Sequence, residues 1–438
     1  MTLLPLPLLD ENRLVRRAAR SVKRGRVVAP HQLPSLIKPG EWVYVPGSSG
    51  APTTFMTELL RDPAFTRDAR LLTSYVPGIN ALNLDGLDPT GQVTGLFMQP
   101  GLAAAQREGR FRALPMSYAG FVRHISDNVD IDLAVIQLSA PDAHGLCSLG
   151  PAVEFMPSVL RKSRRRLGLI NRQTPRIHGS VTVPFNTLDY VCEVDTPLPV
   201  YDAPADAGTE AIARHIAPLI DDAVVLQAGL GKVPTALMRL LRDRRGLKLH
   251  SGMLSDGLLD LAAAGALDMD HAHTTCVLVG SRAFYERVRD FTPLRVVGCD
   301  LTHDPARLAA IERFVAVNSA LEVDLFGQCN LELARGAAVS GVGGAPDFAR
   351  AGQLSHGGHS IVALHATHKG GSRIVPALGH AALASLSRVD VDYVVTEHGV
   401  ARLAGASVHE RAHALIEVAA PEYRAELHDA WRSIAARL

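Results

Sequence analysis

Short apolar runs alternate with amphipathic stretches along almost the whole chain. Runs at 42–45, 133–138, 224–227, 275–279, 314–317, 361–364 and 393–395 are continuous apolar or nearly so, which predicts strands buried on both faces. Between them, 210–220, 235–241 and 408–416 show helical spacing, and a last helix is expected over about 422–436. Buried strands alternating with helices predict an α/β fold with largely parallel sheets. A chain of 438 residues exceeds one small module. The stretch DTPLPVYDAPADAG at 195–208 is rich in Pro, Asp and Ala, lacks periodicity and reads as a linker. Two tandem open α/β domains are therefore expected, at 1–200 and 209–438.

The two halves share a signature. Gly47, Pro52, Thr53, Met56 and Leu59 recur at the same spacing as Gly229, Pro234, Thr235, Met238 and Leu241. Each set reads as strand, glycine turn and a helix begun by proline in its first turn, where a missing N–H costs little. Duplication of one α/β unit accounts for the match. It predicts an active cleft between similar domains, at the carboxyl ends of their strands.

Composition excludes several classes. Lys plus Arg number 45 against 44 Asp plus Glu, a formal charge of +1, which argues against a dedicated nucleic-acid binder. No apolar run reaches the ~18 residues of a membrane span. Five dispersed cysteines form neither a C-x-x-C pair nor a disulfide framework, pointing to a reducing compartment. The opening MTLLPLPLLD carries two prolines, no basic residue and a following acid, unlike a secretory peptide. A cytoplasmic protein is expected.

Three segments go beyond generic α/β patterning: IDLAVIQLSAPDAHGLCSLG at 131–150; AGLGKVPTAL at 228–237 with LHSGMLSDGLLDL at 249–261; and SGVGGAPDF at 340–348, followed by SHGGHSIVAL, SRIVP and VVTEHGVARLAG, the last at 394–405. In these strings, and in their order, the chain resembles the acetyl-CoA hydrolase/CoA-transferase family over about residues 43–427. The resemblance implies two CoA-transferase-type domains with an acyl-CoA thioester bound between them, coenzyme A entering as part of that substrate; no metal is expected. A homo-oligomer, a homodimer in the simplest case, is also expected. In that family a glutamate attacks the thioester, giving an acyl-glutamyl anhydride and then a glutamyl-CoA thioester. A second carboxylate collects the CoA, while amides of two glycine-rich loops hold the oxyanion.

The sequence departs from that pattern at the nucleophile. Where the family reads His-Thr-Glu-Met before Ser-Asp-Gly, this chain has His250, Ser251, Gly252 and Met253. Where the family reads Gly-Gly-Gln, it has Gly343, Gly344 and Ala345. A covalent glutamyl mechanism cannot run through residue 252. By motif, Val233 in the turn after Gly229, Gly231 and Lys232 still offers a backbone amide, as do Gly343 and Gly344; the bland reading is that these glycines only permit tight turns. Glu322, Glu397, His250, His144 and Asp142 are candidate bases, although the bland reading of any one of them, a buried hydrogen-bonded group, is the stronger. Cys147 is a weaker thiol candidate. Gly229, Gly231, Lys232, Asp347, Phe348, Ser355, His356, Gly357, Gly358 and His359 are expected to contact substrate or CoA. The histidines at 356, 359, 365 and 368 straddle an expected strand, where alternating side chains diverge, so they are not read as a metal site. The basic run RKSRRR at 161–166 reads as a solvated helix end or a phosphate contact, and the turn at 47–50 is a weak phosphate-loop signal without a Walker lysine.

These features favour an enzyme that hydrolyses acyl-CoA, or transfers its acyl group directly to an acceptor in the cleft. Alternatives are a CoA-transferase with a substitute carboxylate and a non-catalytic CoA-binding protein.

Overall fold

The structure is a computed structural model, described here for residues 25–379 and 382–438. The amino-terminal stretch read against a secretory peptide lies outside the described residues. Two eight-stranded sheets form the frame. In the first, the strand Trp42–Val45 is central. Arg70–Thr73, Gln92–Gly95 and Phe111–Ala113 march in turn to one edge, and Ile131–Leu138, Ser163–Asn171 and Tyr190–Val194 to the other. Val225–Ala228 is central in the second. Lys248–Leu254, His273–Leu278 and Leu294–Val296 run outward on one side, and Phe314–Ser319, His359–Ala363 and Tyr393–Thr396 on the other. These pairings are all parallel. The shared strand order is what duplication of one unit requires. Each sheet adds one edge strand of its own: Arg26–Val27 is parallel, Gly399–Arg402 antiparallel.

Both signature glycines follow a central strand, yet only the first is sterically required. A β-carbon on Gly47 would lie 2.1 Å from the Ser74 carbonyl oxygen, so only glycine permits that approach, whereas one on Gly229 meets nothing within 4 Å. The prolines also differ. Pro52 precedes the helix Thr53–Leu59, while Pro234 lies inside the first turn of Lys232–Leu240. The run at 161–166 is mostly not a helix end: the helix Met156–Lys162 stops and the strand Ser163–Asn171 takes over. Its arginines are held by acids of neighbouring elements: Arg161 by Asp300, Arg164 by Asp132 and Arg165 by Glu41.

The halves meet along backbone. Leu278 N–H donates to Pro151 O (2.7 Å), Val153 N–H to Cys276 O (3.0 Å) and Cys299 N–H to Glu154 O (2.7 Å). Ser49 Oγ donates to Leu278 O (2.7 Å), so the first-half signature turn is buried in this interface and not open as a cleft. One hydrophobic cluster, including Phe155, Met156, Cys276 and Leu278, runs through both halves. No helix among the described residues is long and apolar enough to cross a membrane.

Candidate functional site

Gly252 lies within the strand Lys248–Leu254. Alternation along that strand turns Ser251 and Met253 to one face and Gly252 to the other. A β-carbon on Gly252 would lie 3.2 Å from His303 Nε2 and 3.5 Å from Phe348 Cε2. From the facing loop, a β-carbon on Gly344 would lie 2.4 Å from the same nitrogen and 3.3 Å from Phe348 Cε2. His303 therefore fills the space between the two glycines. Its ring packs at 4.8 Å from Tyr118 and 4.5 Å from Phe348, and its Nδ1 is 2.8 Å from Thr302 Oγ1. Burial, reinforced by the nearby His250, pushes its pKa down to about 3, so the ring is neutral. His250 Nε2 meets the Thr302 carbonyl at 2.9 Å, and burial lowers its pKa too. Of the residues read as site candidates, His250, Gly252, Gly344 and Phe348 thus converge, and His303 is the one that motif reading missed.

On the other face, Gly229 and Gly231 line a pocket of about 300 Å³ together with Met253, Ser255, Asp256 and the linker residues Tyr201 and Asp202. Gly231 has φ +137°, a conformation glycine adopts without strain. The amides of Lys232 and Val233, the first residues of the helix Lys232–Leu240, have no intrahelical acceptor. A second pocket of about 510 Å³ lies where the halves meet, lined by Arg172, Arg176, Arg282 and Arg289 among others. The two adjoin through the consecutive residues Val200–Tyr201 and Ser281–Arg282, which divide between them.

Lys232, Glu397 and Glu322 belong to a separate chain of charge at the carboxyl ends of the second sheet. Lys232 Nζ pairs with Asp206 (3.0 Å), Asp206 lies 3.8 Å from His365 Nε2, and His365 Nδ1 lies 4.0 Å from Glu397. Glu397 also accepts from Ala366 N–H, and Glu322 from Asn330 Nδ2 (3.1 Å). Both carboxylates act on Arg373, whose pKa burial lowers and they raise. Asp206, His365 and Arg373 tie these candidates together; the sequence shows them only as scattered charges.

The remaining candidates have other partners. Asp347 Oδ1 accepts from Ser117 Oγ (2.7 Å) and Oδ2 from Ala119 N–H (3.1 Å), capping the helix Tyr118–Asn128 across the domain boundary. Ser355, His356, Gly357 and Gly358 precede the strand His359–Ala363, at the amino edge of the parallel sheet and opposite the Gly229 turn. Ser355 Oγ bonds Ile311 O and Phe314 N, and His359 Nε2 meets Leu219 O at 2.8 Å. Asp142 accepts the amides of His144 and Leu146, which makes it a turn device. Burial pushes the Cys147 thiol up to about 11, unfavourable for a nucleophile.

A doubled parallel sheet with free helix amides beside a glycine loop defines a protein of the CoA-transferase type. Residues 12–201 match the acetyl-CoA hydrolase/transferase N-terminal domain and 280–431 the C-terminal domain of the same name. The chain belongs to the acetyl-CoA hydrolase/transferase family. It is 30 % identical over 436 residues to a succinyl-CoA:cyclohexane-1-carboxylate CoA transferase of Geobacter metallireducens, covering 95 % of this chain and 98 % of that one. It is 35 % identical over 306 residues to a 4-hydroxybutyrate coenzyme A transferase of Clostridium kluyveri, covering 68 % and 71 %. The crystal structure of RipA from Yersinia pestis superposes with a TM-score of 0.86 at 26 % identity, covering 94 % of this chain and 98 % of that one. The chain is accordingly an acyl-CoA hydrolase or transferase.

Proposed function

We propose that this enzyme hydrolyses an acyl-CoA thioester without passing through a glutamyl-CoA intermediate. The observation that carries the reading is the filled space at residue 252: a glycine, with His303 and Phe348 against it. Glu322 and Glu397 are engaged with Asn330, Ala366 and Arg373 and do not face that space. The thioester carbonyl is held by the free amide of Val233 beside the Gly229 pocket; one such donor is worth about 3–4 kcal/mol in a transition state. The arginine-lined pocket receives the phosphates of CoA, and the pantetheine arm runs from it toward the adjoining Gly229 pocket. This replaces the 355–359 segment as the phosphate contact, since that segment sits at the opposite sheet edge.

The test incubates the protein with a panel of acyl-CoAs in ¹⁸O-labelled water, then treats it with borohydride. Labelled free acid and an unmodified protein support the reading. A glutamate converted to its primary alcohol, with loss of mass and release of CoA, rejects it. The names of the two relatives support a second reading, transfer of CoA to a carboxylate. That reading requires such a trapped glutamate, and product formation that depends on added carboxylate.

A further inference from the structure

A group of side chains next to Gly252 has a chemistry that the fold does not demand. Cys276 sits on the strand His273–Leu278, beside the strand that carries Gly252. Cys299 opens the short helix Cys299–Thr302, and His303 follows one turn later, so both project from the same face. The two sulfurs and a ring nitrogen of His303 all lie within 4.8 Å of one another. None of the three residues is more than 1 % exposed.

We propose that Cys276, Cys299 and His303 form a mononuclear zinc site with three protein ligands and one exchangeable position. Ligand atoms around tetrahedral zinc lie about 3.5–4 Å apart, given Zn–S near 2.3 Å and Zn–N near 2.0 Å. The present spacing, within 4.8 Å, is wider than that, and binding draws the three atoms together. Two thiols and an imidazole form a donor set that suits zinc and disfavours magnesium or calcium. Nδ1 of His303 is held by Thr302 Oγ1, and no hydrogen bond to Nε2 is present among the described residues, so the ring keeps a nitrogen free for a ligand. No fourth His, Cys, Asp or Glu joins the group among the described residues. A Cys₂His set short of one ligand is the pattern of zinc sites that bind water. The site abuts the position from which the family's nucleophile is missing, since Cys276 Sγ is 3.0 Å from Gly252 O and His303 Nε2 faces the glycine. Zinc held this way supplies a water acidified toward neutral pH. The inference revises the expectation of a metal-free chain and stands whichever acceptor takes the acyl group.

Elemental analysis of protein purified under reducing conditions should find one zinc per chain. After chelation, cobalt(II) alone should restore occupancy, with thiolate-to-cobalt charge-transfer absorption and tetrahedral d–d bands. Cys276→Ser and Cys299→Ser should each diminish the charge-transfer band, and Thr302→Val should weaken cobalt binding about 10- to 100-fold. Metal-free protein whose thiols react freely and which gives no cobalt band overturns the site. So does a reducible Cys276–Cys299 disulfide in the purified protein, or a cobalt band indifferent to both serine variants. If a serine variant does not fold, the cobalt spectrum of the unmodified chain and the Thr302→Val titration decide.

Discussion

Gly252 lies outside the left-handed region of backbone space, so a side chain there is limited by room and not by torsion. A β-carbon fits if His303 yields a few tenths of an ångström. A whole glutamate competes with that ring, which Tyr118 and Phe348 hold in place. Gly252→Glu alone is therefore expected to gain no CoA transfer, against the simple idea that one substitution restores the family's chemistry. Gly252→Glu combined with His303→Ala should, after acyl-CoA and borohydride, carry residue 252 reduced to its primary alcohol, detected as a loss of mass; transfer by the single variant would show that the ring moves aside freely. Gly344 is tighter, with its β-carbon 2.4 Å from His303 Nε2. Gly344→Ala should lower stability by about 1–3 kcal/mol, the usual range for overpacking. Motif reading located 252 and 344 because glycines in family strings are conspicuous. His303 stands in the unremarkable string T-H-D-P, and only its one-turn spacing from Cys299 hinted at a shared face.

Elements repeat where single residues diverge. The strand–glycine–helix unit was legible twice because buried strands and helices have different apolar periods. What each glycine does was not legible, since that depends on which backbone lies across from it. Gly229→Ala should leave the melting temperature nearly unchanged, as its methyl enters open space, yet should raise KM for acyl-CoA by narrowing the pocket. Unchanged KM would mean that substrate does not use that pocket. The helix Tyr118–Asn128 carries a pH signature through its cap. Burial raises Asp347 to about 6, against the hydrogen bonds from Ser117, Ala119 and Tyr118 that favour its charged form. A carboxyl raised above its unfolded value of ~3.9 favours the fold fully below that value and loses the contribution as pH rises through about 6. The loss is up to about 2–3 kcal/mol at 1.36 kcal/mol per unit. Asp347→Asn should remove this component, so chemical denaturation of the two proteins at pH 4 and 7 should show a smaller pH 4-to-7 decline for the variant. An equal decline in both would place the proton elsewhere.

At the scale of the molecule, the linker at 195–208 invites a picture of two independent domains, and the interface argues otherwise. Sequence periodicity reports which residues are buried but not against which partner, so the bonds from Pro151, Val153 and Glu154 to Cys276, Leu278 and Cys299 had no signal in the chain. Glu154 shows how closely the halves are joined. It is 2 % exposed, accepts from Ser48 and from Ser74 Oγ (2.7 Å), and its own backbone bonds both Cys276 and Cys299. The next residue, Phe155, is 1 % exposed and stacks edgewise on Tyr118 and Phe121 at 5.0 and 4.8 Å, inside the cluster that spans both halves. Separating the halves would expose that shared apolar surface and exchange the backbone hydrogen bonds that cross the boundary for bonds to water. Calorimetry should therefore show one unfolding transition for the whole chain. Phe155→Ala, a deletion worth about 3–5 kcal/mol, should move that transition down while leaving it single. Two transitions, with only one displaced by Phe155→Ala, would show that the halves fold separately and that the geometry at Gly252 is set by the second half alone.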